Sequence, residues 1–139
     1  MTKILILSLI ALSPNLSAFA SESYVCTSDA KNSVIPTYVQ VNIQGNEVSG
    51  KLNFNFGSAS RTLATFGVDR EKNDFALTVA DLSSSQKTVS FRQDGYDHFS
   101  YTLNFNDKAG TLTQVMQLDC SDEVTSQVFM TCAKTVQAE

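Results

Sequence analysis

The chain carries a single histidine, His98, and three cysteines, none in a C-x-x-C pair and none near that histidine. This shortage excludes the usual zinc spacings, in which cysteines and histidines recur at short fixed intervals, so no metal or cofactor is expected. A nucleophilic triad would have His98 as its one available base. No G-x-S-x-G elbow accompanies it, and Ser83-Ser84-Ser85 reads as a turn. Basic residues are few and scattered: Lys31, Lys51, Arg61, Arg70, Lys72, Lys87, Arg92, Lys108 and Lys134 beyond the first twenty positions. Without a basic patch or stripe, nucleic acid and anionic membrane surfaces are poor partners. Long apolar runs are equally scarce. Ile4 to Leu12, broken by Ser8, is about half the ~20 residues a bilayer span requires, and no second run follows, so no stable membrane insertion is expected.

That run sits in a three-part pattern. Met1-Thr2-Lys3 supplies one positive charge, Ile4 to Leu12 the apolar segment, Pro14 a break, and Ala18-Phe19-Ala20 small residues at the −3 and −1 positions of a cleavage site. This is the pattern of a cleavable secretory signal of bacterial type. Residues 1–20 are expected to be removed, leaving a periplasmic or secreted protein that begins at about Ser21. Lipidation is disfavoured, because the first cysteine is Cys26, six residues past Ala20. Losing Lys3 leaves nine basic against fourteen acidic side chains, a net charge of about −5.

Residues 21–139 are the right length for one domain. Their clearest signal is period two. Val39, Val41 and Ile43 alternate with Gln40, Asn42 and Gln44, and after Gly45-Asn46 the pattern resumes with Val48, Gly50, Leu52, Phe54 and Phe56. Strict alternation implies strands with one buried and one wet face, and Gly-Asn suits a tight hairpin. The same alternation recurs in Phe75/Leu77/Val79, Val89/Phe91, Phe99/Tyr101/Leu103/Phe105 and Leu112/Met116/Leu118, with polar turns between. Residues 60–68 place apolar groups on both parities, which implies a strand covered on both faces or bulged. Residues 124–131 combine a helical spacing (Val124, Val128, Cys132, after a Ser121 N-cap) with strand-favouring Val, Thr and Phe; the strand is preferred. The chain therefore reads as an all-β antiparallel meander. An eight- or nine-stranded up-and-down barrel is expected, because closure removes exposed edges, with a two-sheet sandwich as the alternative.

In an oxidising compartment three cysteines imply one disulfide and one further thiol. Cys26, near the end of the first strand, and Cys132, near the end of the ninth, would share one end of the domain, which favours Cys26–Cys132. Cys120–Cys132 is the rival, although a hairpin turning near Glu123 would set Cys132 opposite residue 114.

The most polar stretch, Arg92-Gln93-Asp94-Gly95-Tyr96-Asp97-His98, offers a guanidinium, two carboxylates, a phenol and the imidazole on one loop. Arg92, Asp94, Tyr96, Asp97 and His98 are the candidate ligand-binding residues. Asp97 and His98 could form an acid–base pair. Adjacent strand residues point to opposite faces, however, and the set of nucleophile, base and stabiliser is incomplete, so no enzyme activity is expected. Tyr101 shares parity with Phe99, Leu103 and Phe105, so its hydroxyl needs a partner inside the domain, a side chain in a packed barrel or a ligand in a hollow one. The expected function is non-enzymatic binding of an extracytoplasmic protein or small ligand through the turns. Carriage of a small apolar molecule within the barrel is the alternative, and hydrolysis through Asp97 and His98 a distant third.

Overall fold

Alternation becomes nine strands in the computed structural model, which describes residues 21–30, 34–54, 62–95, 97–119 and 121–137. The expected signal peptide, Tyr96 and Cys120 lie outside the described residues. The strands are β1 (Ser21–Thr27), β2 (Tyr38–Gln44), β3 (Glu47–Phe54), β4 (Thr62–Gly67), β5 (Phe75–Asp81), β6 (Lys87–Gln93), β7 (His98–Phe105), β8 (Ala109–Gln117) and β9 (Val124–Gln137). They close into one barrel in sequence order, with β9 returning to β1. The β2–β3 hairpin forms as expected. Gln44 pairs with Glu47, and Gly45 takes φ 63°, the left-handed geometry that glycine adopts without a Cβ penalty. The segment with mixed signals at 124–131 is strand.

The expected all-β barrel is present with nine strands and, nine being odd, it departs from a strictly antiparallel meander at one junction. Around a closed ring of nine strands, neighbours cannot all run antiparallel; at least one junction must be parallel. That junction is β4–β5, joined by two residue pairs, Phe66 with Phe75 and Gly67 with Ala76. Asp74 extends it by side chain, its Oδ2 accepting from Thr65 N at 2.9 Å. All other neighbouring pairs, β1–β9 included, are antiparallel.

The expected disulfide is present, but the geometry that brings it about differs. β1 and β9 run in opposite directions, and Cys132 lies inside β9, directly across from Cys26. The β8–β9 hairpin turns earlier than Glu123: Leu112 pairs with Val128, and Cys132 N donates to Lys108 O at 2.8 Å. Gly110 leaves room for the bridge, since a Cβ there would stand 3.0 Å from Cys132 Sγ.

Inside, the barrel is filled by rings. Phe66 stacks on Phe91 with centroids 4.1 Å apart, Phe91 on Tyr101 at 5.4 Å, and Phe75 meets Phe91 and Tyr101 edge-on at 5.7 and 5.5 Å. All four are buried. Gly50, opposite Phe66 in register, makes this possible, because a Cβ at 50 would stand 2.4 Å from Phe66 Cζ and 2.0 Å from Gln40 O. Two parities are corrected. In β4, Ala64 and Phe66 face inward while Leu63 is exposed, as is Val68 beyond the strand end, so this strand is covered on one face. In β5, a register shift between Leu77 and Val79 turns Val79 outward.

Candidate functional site

Three of the candidate polar residues assemble where the β6–β7 hairpin ends. Arg92 leaves the outer face at the end of β6, Asp94 stands in the turn, and His98 opens β7. The Asp94 carboxylate bridges the other two: Arg92 Nε lies 3.1 Å from Oδ2, and His98 Nδ1 3.5 Å from Oδ1. All three side chains are about half exposed, so each contact is solvent-screened and adds at most ~1 kcal/mol to stability. Cross-strand register adds Ser100 opposite Arg92 and Gln117 opposite His98, and Glu123 joins them before β9. Together they line an open depression of about 350 Å³ on the outside of the barrel. Gln117 and Glu123 were missed in sequence because they belong to a later hairpin: the β7–β8 register brings Gln117 alongside, and the turn before β9 carries Glu123.

Asp97 does something else. Its Oδ1 accepts from Asp119 N at 2.9 Å, tying the β6–β7 loop to the β8–β9 turn, where Asp119 takes φ 27°. That carboxylate supports a left-handed turn residue, while the imidazole of His98 is partnered by Asp94. The structure therefore does not bring Asp97 and His98 together as an acid–base pair.

Tyr101 is likewise apart from the rim. It pairs with Phe91 and faces inward, whereas the neighbouring Arg92–Ser100 pair faces out. Its hydroxyl donates to Gln114 Oε1 at 2.8 Å, and burial pushes the phenol pKa well above the ordinary tyrosine value, keeping it a neutral donor. Gln114 is buried, and its Nε2 has no hydrogen-bond partner among the described residues. Position 114 shares parity with Leu112 and Met116, and that was the available signal for this buried amide. A buried unmet donor costs about 1–3 kcal/mol, whereas replacing both members of a polar pair by apolar groups of similar shape is nearly neutral. Tyr101→Phe should therefore lower the free energy of urea unfolding by about 1–3 kcal/mol, by leaving both ends of the amide unmet. Adding Gln114→Leu should return stability to at least the wild-type level. Equal losses in the single and double variants would show that the pair is not what couples them.

No family model, no curated protein and no solved structure matches the chain.

Proposed function

We propose that this protein is an exported, non-enzymatic binding module that holds an extracytoplasmic protein or ligand at its Arg92–Asp94–His98 rim. The observation carrying this reading is the Asp94 bridge, which presents a guanidinium and an imidazole together at an outward-facing depression. Both flanking residues are strand-borne, so the groups are positioned before a partner arrives, and preorganised polar groups lose less entropy on binding. The Cys26–Cys132 disulfide is compatible with an oxidising, extracytoplasmic location. Export through cleavage of residues 1–20 belongs to the proposal. Carriage of an apolar molecule inside the barrel would require the rings of Phe66, Phe75, Phe91 and Tyr101 to part, and no observation favours it.

A pull-down from the envelope fraction tests the rim. Wild-type protein and a Lys51→Ala control, whose change lies on β3 of another part of the wall, are expected to retain the same partner. An Arg92→Ala/Asp94→Ala/His98→Ala variant should lose at least tenfold in capture, the loss of about one charge-assisted contact. Equal capture by all three proteins eliminates the rim as the site.

A further inference from the structure

Lysines that are far apart in sequence meet at the opposite end of the β6–β7 pair. Lys87 begins β6 and pairs with Phe105; Lys134 lies in β9 and pairs with Tyr24; Lys108 stands in the β7–β8 turn. Lys87 shares parity with the buried Val89 and Phe91, and Lys134 with Cys132, so two ammonium groups rise from inward-facing positions at the barrel mouth. Beneath them Tyr24 and Phe105 close the interior, their centroids 5.0 Å apart. The three lysines, with Tyr24, Ser85, Asn106 and Asp107, line an open depression of about 370 Å³. The fold thus gathers a third of the basic residues of segment 21–139, scattered in sequence, at one mouth.

The charges around this mouth do not cancel. Glu22 Oε1 lies 3.6 Å from Lys134 Nζ, and Asp107 lines the depression, so two carboxylates face three ammonium groups. One positive charge remains, on a chain whose formal charge is −4. Lys134 Nζ is also held 5.8 Å over the Tyr24 ring, and Lys87 Nζ donates to Ser84 O at 2.9 Å, which leaves each with further N–H donors. The Lys108 ammonium has no partner among the described residues. Asn106 Oδ1 accepts from Lys108 N and Ala109 N at 2.8 and 2.9 Å, fixing the turn that carries it. Lysine binds phosphate as a point charge from several directions, without the planar fork by which arginine grips carboxylates. Barrel mouths of this volume suit small ligands.

We infer that the mouth ringed by Lys87, Lys108 and Lys134 is an anion site for a phosphate monoester. It lies away from the rim cluster and stands or falls independently of it. The test is an amide-shift titration of the exported, oxidised protein with glycerol 3-phosphate, and separately with phosphatidylcholine vesicles with and without phosphatidic acid. Saturable shifts at Tyr24, Asn106 and Lys108 are expected, weakening as salt shortens the screening length from about 10 Å at 0.1 M to 3 Å at 1 M. Lys108→Glu, on an exposed turn, should weaken binding roughly tenfold to a hundredfold, as should Lys134→Ala, while Arg92→Ala leaves it unchanged. A response to glycerol 3-phosphate assigns a free ester, and a response confined to phosphatidic acid assigns a lipid headgroup. No saturable response to either, full binding by Lys108→Glu, or equal competition by sulfate at matched ionic strength overturns the inference.

Discussion

Protein with alanine at both Cys26 and Cys132 is expected to unfold in urea with about 4–5 kcal/mol less stability than the oxidised wild type. The bridge spans 106 residues of sequence, so the denatured chain it constrains is nearly the whole domain. In the chain-entropy description, closing a loop of that length removes more denatured-state freedom than a short bridge would, and the cost falls on the unfolded side of the equilibrium. The bond also joins the two strands that close the barrel, where Cys26 and Cys132 stand opposite each other in register. Intact mass under non-reducing conditions comes first, because it reports where the chain begins, expected at about Ser21, together with the internal bond. A loss of less than about 2 kcal/mol would mean that the denatured chain keeps β1 and β9 together without the bond.

The second large effect is in the ring stack. Phe91→Ala should cost about 3–5 kcal/mol, the range for deleting a buried aromatic from a close-packed interior. Phe91 touches Phe66, Phe75 and Tyr101, from three different strands, so no single neighbour can collapse into its place. The resulting cavity is lined chiefly by rings, and apolar cavities of this kind stay dry and take up benzene. Benzene should therefore raise the thermal midpoint of Phe91→Ala and leave that of wild type unchanged. Phe129→Ala is the matched control: Phe129 is 79% exposed, and its removal should change stability by no more than about 0.5 kcal/mol. If the two substitutions cost the same, the stack is not the stabilising core.

Much of this was legible in the residues, and the exceptions have physical causes. Where one face is apolar and the other polar, as in Val39/Val41 against Gln40/Asn42, the period of two decides the strand, its inward face and its partner. Where both faces carry apolar groups, as around Leu63 to Val68, it decides nothing, and there the parallel β4–β5 step lies. The register shift between Leu77 and Val79 was hidden for a related reason: it reverses parity without changing composition. Gln114 escaped notice because an amide at an inward position looks like a break in the pattern. At the candidate site, Arg92, Asp94 and His98 lie on one hairpin and were readable together. The lysine mouth was not, because Lys87, Lys108 and Lys134 lie on different strands and turns and are brought together only by the pairing of β6 with β7, β7 with β8 and β8 with β9.

The parallel step and the disulfide have a joint consequence for the topology of the chain. From Cys26 to Cys132 the backbone is a covalent loop. The β4–β5 seam, with two residue pairs against eight between β7 and β8, falls well inside that loop. When the seam parts, no chain end is released. β4 and β5 stay tethered through residues 68–74, so the wall opens only as far as that segment reaches, while the covalent bond holds β1 and β9 together on the far side of the barrel.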